Sequence, residues 1–389
     1  MKKIITSVLT LSTMTLVFAQ SNTDTTTQSG TNHNATTVQT GLSNTNTVLQ
    51  NGTAANANRA TIGQTGNLNI NEITQTGSNN VADAVQNGNS NNNKVVSIGN
   101  RNNSDVDQIG SSNTVTQDQT GDDNEAVVMQ SGDFNRGFQV QLGSLNSAEI
   151  TQTGSSHFVN QYQSGNSNTA TSIQNGASHI GYQSQYGDNN TAEVNQTGAN
   201  DYSYQVQSGT TNNETVTQDG TSNNAYQYQY ANNSTADIDQ TGTSNLGYQY
   251  QSGERQNASL VQDGTSNSSY QFQYVADNTV EADQTGTSNY GYQEQTGNRN
   301  EASLSQTGNS NYGYQYQSGD DNSAEGTQVG WNYLSQSQFG NGNSAVDTQT
   351  SATSVSRNMS TVEQRTGMNS HIGSQMGDGN VMSIIQKGL

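Results

Sequence analysis

The sequence contains no cysteine and no proline, and only 28% of its 389 residues are hydrophobic. A globular domain usually draws on roughly 45–50% apolar residues, so a large apolar core is excluded. Without cysteine, disulfides cannot stabilise the fold instead. Basic residues are also scarce: 11 Lys and Arg against 31 Asp and Glu give a net charge of −20. This charge argues against nucleic acid or an anionic membrane surface as a partner.

The N-terminal residues have the pattern of a secretory signal peptide. Two lysines precede a short apolar run that ends in a small residue, Ala19. This pattern is typical of a segment that is removed on export. We therefore predict a signal peptide over residues 1–19 and a secreted mature chain, with a short N-terminal segment over residues 20–27.

Most of the remaining chain is an eleven-residue repeat. Of the 25 positions reached in steps of 11 from Gln64 to Gln328, 24 are Gln, and Ser97 is the exception. In most repeats Gly follows two residues later and Asn five residues later. The composition alone is typical of a disordered tract. A disordered tract, however, does not require Gln, Gly and Asn to recur at a fixed spacing. We therefore predict a repeat domain over residues 28–350 and irregular coils over residues 351–389.

Each repeat is predicted to be a strand followed by a turn. In "AEVNQ", from Ala192 to Gln196, small or apolar residues alternate with polar ones, and a period of two indicates a strand. Gly and Asn favour a tight turn over a helix. From residue 152 to residue 327, acidic repeats alternate with tyrosine-containing repeats. The sequence thus predicts an all-β, two-sided parallel β-solenoid with 22-residue coils that stacks as cross-β amyloid.

The parity of the strands predicts which side chains face inward. Val194 and Gln196 share the apolar side of an acidic strand, so this side is predicted to be the interior. By the same parity Gln249 lies inside and Tyr248 outside. Each interior Gln would stack about 4.7 Å from its copy in the next coil and form an amide ladder. The predicted ladder consists of Gln185, Gly187, Asn190, Gln196, Gln207, Asn212, Gln218, Asn223, Gln240, Asn245, Gln251, Gln262, Asn267, Gln284, Asn289, Gln306 and Asn311. The predicted outer tyrosine row consists of Tyr182, Tyr204, Tyr226, Tyr248, Tyr270, Tyr292 and Tyr314.

The repeat Q-x-G-x-x-N-x-A-x-x-x-Q resembles that of the curlins, the subunits of bacterial curli amyloid fibres. The stretch "QYGDNNTAEVNQ", from Gln185 to Gln196, has the family residue at every defined position. The chain looks like a long, multi-repeat variant of the major subunit. The resemblance implies an extracellular fibre that self-assembles head to tail on the bacterial cell surface, for biofilm matrix and cell adhesion. It also implies a curli-type secretion channel and a nucleator as partners.

No group of residues predicts an enzyme, a cofactor or a metal site. No nucleophile, base and orienting group recur together in the repeats. His157 and His179 occupy Asn turn positions one coil apart. They either replace Asn in the turns or make an incidental metal contact. Two His residues without Cys are a weak signal for a metal site. Surface or matrix polymers are a further class of partner for the tyrosine row. The alternative functions are a monomeric secreted β-solenoid adhesin and an ice-binding protein.

Overall fold

The structure is a computed structural model that describes residues 21–52, 57–351 and 356–387. The predicted signal peptide, residues 1–19, lies outside the described residues. Every regular element within them is a β-strand, so they include no helix long and apolar enough to cross a membrane. The chain divides into two compact units, Met1–Asn189 and Asn190–Leu389.

The first unit consists of strands that alternate between two parallel sheets. The strands are β1 (Thr23–Ser29), β2 (Asn34–Thr40), β3 (Thr45–Asn51), β4 (Arg59–Asn67), β5 (Ile70–Ser78), β6 (Val81–Asn89), β7 (Asn92–Asn100), β8 (Asn103–Ser111), β9 (Thr114–Thr120), β10 (Glu125–Asp133), β11 (Arg136–Leu142), β12 (Ser147–Ser155), β13 (Phe158–Ser164), β14 (Thr169–Ala177) and β15 (Ile180–Asp188). Each odd-numbered strand pairs with the next odd-numbered one. The even-numbered strands pair in the same way. Strand β1 begins within the predicted N-terminal segment 20–27, so the ladder of strands includes part of that segment.

The second unit has the same arrangement. Its strands are β16 (Thr191–Ala199), β17 (Tyr202–Thr210), β18 (Asn213–Thr221), β19 (Asn224–Asn232), β20 (Thr235–Thr243), β21 (Leu246–Glu254), β22 (Asn257–Thr265), β23 (Ser268–Tyr274), β24 (Thr279–Thr287), β25 (Tyr290–Thr296), β26 (Glu301–Asn309), β27 (Tyr312–Ser318), β28 (Ser323–Gly330), β29 (Asn332–Phe339), β30 (Ser344–Thr350), β31 (Asn358–Arg365), β32 (Ser370–Met376) and β33 (Val381–Lys387). Odd-numbered strands again pair in parallel, and so do even-numbered strands. The segment 351–389, expected to form irregular coils, contributes the last three strands to these sheets.

Glycine in the turns allows the coils to approach one another closely. Near the end of β20, Gly242 has a φ of 110°, and Ser244, directly after this strand, has a φ of 58°. A Cβ atom on Gly242 would lie 2.1 Å from the backbone oxygen of Gly264 in the next coil. Both the positive φ and the short distance require glycine at this position. Nine-residue strands such as β20 continue through this glycine.

The interior of each unit is thin and mixes aliphatic with amide side chains. Burial alternates along the strands, so that in β20 Ala236, Ile238 and Gln240 are buried and the residues between them are exposed. Residues paired across neighbouring strands are mostly one 22-residue coil apart, as Ile238 is from Leu260. The prediction of an all-β, two-sided parallel β-solenoid is confirmed in each unit.

Candidate functional site

Interior glutamines form amide rows within each unit, and Ser97 interrupts one row of the first unit. Gln218 Nε2 donates a hydrogen bond to Gln240 Oε1, and Gln240 Nε2 donates one to Gln262 Oε1, both at 2.8 Å. Gln240 Nε2 also donates across the interior to the backbone oxygen of Asn224, 3.0 Å away. Both amide hydrogens and the oxygen of Gln240 therefore have partners, as a fully buried amide requires.

A second glutamine row, absent from the predicted ladder, lies in the middle of the tyrosine-bearing strands. Gln249 Nε2 donates to Gln271 Oε1 and to the backbone oxygen of Asp237, both at 2.8 Å. The sequence signal for this row is a Gln two residues before the repeat Gln, as Gln249 precedes Gln251. These strands thus contribute two amide rows to the interior, whereas acidic strands such as β20 contribute one.

The turn asparagines form a third kind of row. Asn245 Oδ1 accepts a hydrogen bond from the backbone N–H of Asn267 at 3.0 Å. Asn245 Nδ2 donates to the backbone oxygen of Gly264 at 3.2 Å. One buried side chain therefore satisfies two backbone groups of the next turn, which explains why Asn recurs at this position.

The turn histidines reproduce the hydrogen bonding of the asparagines they replace. His157 Nδ1 accepts from the backbone N–H of His179 at 3.3 Å, and His157 Nε2 contacts the backbone oxygen of Thr153 at 3.1 Å. An Nδ1 acceptor requires the neutral Nε2–H tautomer. Burial, and to a lesser degree the charge of His179, lowers the pKa of His157 to about 4. Within the described residues no three His, Asp or Glu side chains form a metal-binding group, and the geometry favours the turn-substitute interpretation.

The rows continue through a repeat that is one residue short. Counting by elevens places Tyr333 at the turn asparagine position. In the structure Asn332 takes that place, because its backbone N–H donates to Asn311 Oδ1 at 2.9 Å. Tyr333 stacks on Tyr312 instead, with the ring centroids 5.0 Å apart. The deletion therefore preserves both the asparagine row and the aromatic row.

The glycines in the tyrosine-bearing strands leave room for aliphatic side chains from the opposite sheet. A Cβ atom on Gly247 would lie 2.7 Å from Leu260 Cδ2 and 3.1 Å from Ile238 Cγ2. A Cβ atom on Gly313 would similarly lie 2.6 Å from Leu304 Cδ1. Neither glycine has a positive φ, so glycine is needed in "NLGYQ" and "NYGYQ" for space rather than for backbone conformation.

The outer tyrosines form two columns that contact each other diagonally. The ring centroid of Tyr248 lies 5.5 Å from those of Tyr228 and Phe272. It lies farther, 6.3 and 6.2 Å, from the directly opposite rings of Tyr226 and Tyr270. Burial, with smaller effects from neighbouring phenols, raises the pKa of Tyr228 to about 12. The Tyr228 phenol is therefore half-buried and uncharged at neutral pH.

At one outward position of the even-numbered strands of the second unit, acidic residues alternate with neutral ones. In the second unit Thr215 lies between Glu193 and Asp237 in the strand register, and Ser259 lies between Asp237 and Glu281. Like charges directly opposite each other destabilise a sheet. The alternation doubles the distance between acids and so weakens their repulsion.

One buried carboxyl group interrupts the alanine row of the even-numbered strands. Glu214 lies between Ala192 and Ala236 in register. It is fully buried, and within the described residues neither carboxyl oxygen has a hydrogen-bond partner. Burial raises the pKa of Glu214 well above its usual range, which favours the neutral carboxyl group.

The last coil contains a polar cluster in its interior. Asp347 is buried, and its carboxylate accepts hydrogen bonds from Gln336 Nε2 at 2.9 Å and Ser360 Oγ at 3.3 Å. His371 Nε2 lies 3.2 Å from Asp347 Oδ1. The side chain of His371 is 10% exposed, so the cluster extends to the surface at this end of the unit.

Both ends of the described chain expose unpaired strand edges. Strand β33 pairs with β31, and strand β1 pairs with β3, while no other described strand pairs with either. Val381 and Ile385 of β33 are 73% and 61% exposed, and Ile372 of β32 is 81% exposed. An open, apolar edge of this kind is a template for the addition of another strand.

The predicted ladder and tyrosine residues occupy distinct faces. Every Gln and Asn of the predicted ladder is at most 1% exposed, and Gly187 lies near the end of β15 with a φ of 111°. The seven predicted tyrosines are half-buried on the outer face. Tyr182, Gln185 and Gly187 belong to the first unit, and the other predicted residues to the second. Within each unit the structure therefore brings the amide residues together in rows.

Two parallel sheets with rows of hydrogen-bonded amides between them define a repetitive structural protein of the β-solenoid class. The model of the curlin associated repeat matches residues 121–154, 165–198, 209–242, 276–308 and 297–330. The chain thus contains curlin associated repeats, as the sequence resemblance indicates. No curated protein sequence matches the chain.

Proposed function

We propose that this protein is the structural subunit of an extracellular fibre that grows by head-to-tail stacking of identical copies. The fibre would lie on the bacterial surface and serve in biofilm matrix and cell adhesion. The curlin repeats and the β-solenoid of each unit support this role. The role is structural rather than catalytic, and the acidic chain would be exported through a curli-type channel, with a nucleator starting polymerisation.

The observation that carries this proposal is the pair of open end strands. A monomeric solenoid requires capping elements that cover its terminal strands. In the described residues β33 instead presents exposed apolar side chains, Val381 and Ile385 among them. A contact between opposite ends of two copies leaves a new open end, so it propagates as a filament.

A monomeric secreted adhesin is the second candidate function. The half-buried tyrosine columns favour it, since aromatic rings present a flat apolar surface to matrix polymers. An ice-binding surface is disfavoured because it requires an uninterrupted threonine array. On this face Thr215 is flanked in register by Glu193 and Asp237.

Negative-stain electron microscopy of the purified protein at room temperature, with sedimentation, tests the fibre proposal. Wild-type protein should form fibres. Ile384→Lys should suppress them, because it places a charge on the inward side of the open strand β33. Leu145→Lys is the control, since Leu145 is 61% exposed in a turn remote in sequence from both ends. Persistently monomeric wild-type protein in the presence of seeds would rule out the fibre.

A further inference from the structure

The amide rows have a direction, which makes the two ends of the chain complementary. At the N-terminal end Gln28 Nε2 donates to Gln50 Oε1, and at the C-terminal end Gln364 Nε2 donates to Gln386 Oε1, both at 2.7 Å. Each amide thus donates toward the C-terminal end. Among the described residues Gln28 Oε1 receives no hydrogen bond, and Gln386 Nε2 donates only to the backbone oxygen of Ser370.

The other sheet shows the same polarity. Gln39 Nε2 donates to Gln64 Oε1 at 2.7 Å, and Gln349 Nε2 donates to Gln375 Oε1 at 2.8 Å. Gln375 Nε2 has a described acceptor only in the backbone oxygen of Met359. Gln39 Oε1, like Gln28 Oε1, receives no hydrogen bond from the described residues, so two acceptors are open at one end of the described chain and two donors at the other. A second copy in the same orientation satisfies both rows.

The alternation of strands between the two sheets determines which strands meet. At the C-terminal end of the described chain, each strand pairs with the strand two before it, as β32 pairs with β30 and β33 pairs with β31. A strand added after β33 would therefore pair with β32. The first described strand of an added copy is β1, and the second is β2. On the basis of the proposed fibre, we propose that β1 of one copy pairs with β32 of the next, and β2 pairs with β33.

The inward side chains of β1 and β32 are complementary in this register. Alignment of Gln28 with Gln375 places Asp24 opposite His371. Asp24 Oδ1 accepts from Asn46 Nδ2 at 2.6 Å, and Asp24 Oδ2 has no partner among the described residues. His371 contacts Asp347 through Nε2, so its Nδ1 is left to meet Asp24. The contact would join the acid Asp24 of one copy to the base His371 of the other. Without it, His371 is an inward side chain of the edge strand β32.

The outward side chains of β2 and β33 are complementary as well. Alignment of Gln39 with Gln386 places Val38 opposite Ile385. Both side chains are 61% exposed in the single chain. Their contact removes apolar surface from water at the junction, which favours association.

The other pairing, β1 with β33, fits less well. It places Asp24 opposite Met382, so a carboxylate would be buried against an apolar side chain. This pairing also leaves β32 without a neighbouring strand. If β1 of the added copy pairs with β33, then β2 of that copy lies two strand spacings, about 9.5 Å, from β32. The backbone groups on the edge of β32 would have no strand partner.

Engineered cysteines distinguish the two pairings, since the chain has no cysteine of its own. Neighbouring strands bring paired Cα atoms within the range that a disulfide spans. In the proposed register Val38 faces Ile385, whereas in the other register Thr27 faces Ile385. Fibres are grown from a mixture of Val38→Cys and Ile385→Cys proteins, and in parallel from Thr27→Cys and Ile385→Cys proteins. Each is then oxidised and analysed under non-reducing conditions.

We expect roughly tenfold or more disulfide-linked dimer in the Val38→Cys mixture than in the Thr27→Cys mixture. A mixture of Thr27→Cys and Ser374→Cys, which probes β1 against β32, should also cross-link. Fibres that cross-link only through Thr27→Cys and Ile385→Cys, or through none of these pairs, overturn this pairing but leave the fibre itself intact. Absence of fibres in wild-type protein overturns both proposals.

Discussion

The imidazole rings of His157 and His179 stack with their centroids 5.1 Å apart and lie within 3° of parallel. The backbone N–H of His179 donates to His157 Nδ1, so protonation of Nδ1 would remove that hydrogen bond. The lowered pKa of His157, about 4, has burial as its main cause. This stack is therefore compatible with the neutral imidazole and not with the charged one.

Protonation should destabilise the first unit through His157. Between pH 6.5 and about 4 the unfolded state takes up a proton at His157 that the folded state does not, so the free energy of unfolding falls as the pH falls. We expect a loss of roughly 1 kcal/mol per pH unit. His157→Asn should lack this loss, since an amide oxygen accepts the same hydrogen bond without titrating. Guanidinium unfolding of both proteins at pH 7 and pH 5 measures the difference, and equal losses would contradict this account.

The buried Glu214 should have the opposite pH dependence. Its raised folded-state pKa means that the unfolded carboxyl group loses its proton first. Its contribution to stability is therefore largest at acid pH and decreases as the pH rises above the usual range for Glu. Glu214→Gln should remove this pH dependence at nearly constant volume.

Replacement of Glu214 by the alanine of neighbouring repeats should stabilise the protein. Glu214→Ala removes a buried polar group without partners among the described residues. We expect an increase of about 1–3 kcal/mol in the free energy of unfolding at pH 7. Denaturant titration of the wild type and both variants tests this expectation, and a less stable Glu214→Ala protein would show that the carboxyl group has a compensating contact.

The amide row should be sensitive to removal of a single member. Gln240→Ala deletes three hydrogen bonds and leaves the amides of Gln218 and Gln262 each without one partner. We expect a loss on the order of 3 kcal/mol in the free energy of unfolding. The control is Asp239→Ala, one residue away on the exposed side of β20, with an expected change of at most about 0.5 kcal/mol. Similar effects of the two substitutions would mean that the interior amides do not hold the coils together.

A glycine with a positive φ and a glycine with an ordinary φ should differ in their tolerance of alanine. Gly242→Ala requires both a positive φ and a Cβ atom 2.1 Å from Gly264 O, and we expect a loss of at least about 1–3 kcal/mol. Gly63 in β4 has no atom within 4 Å of the added Cβ. Gly63→Ala should therefore be neutral or stabilising by about 0.4–1 kcal/mol. Thermal unfolding of the two variants compares them directly, and a well-tolerated Gly242→Ala would contradict the close approach of the coils.

The sequence by itself determined the strand, the turn and the inward face. An eleven-residue spacing of Gln, Gly and Asn excludes any register shifted by less than a full repeat, since such a slip would place these side chains opposite unlike ones. Parity then predicts that Gln240 is buried and that Tyr248 is not, and both are found so. These are local properties, because they depend on the period of the chain and on the conformations that glycine and asparagine favour.

Only the tertiary structure decided the contacts that cross from one sheet to the other or run diagonally. Gln240 reaches the backbone of Asn224, and Gly247 makes room for Leu260. The offset between facing strands and the thickness of the interior set these distances, and neither follows from the period of the repeat. Likewise, the shift that puts Asn332 in the turn row depends on which residue reaches Asn311. The physical reason is that a repeat places equivalent residues of neighbouring coils side by side within one sheet. Contacts between the two facing sheets instead join different residues, which the repeat does not specify.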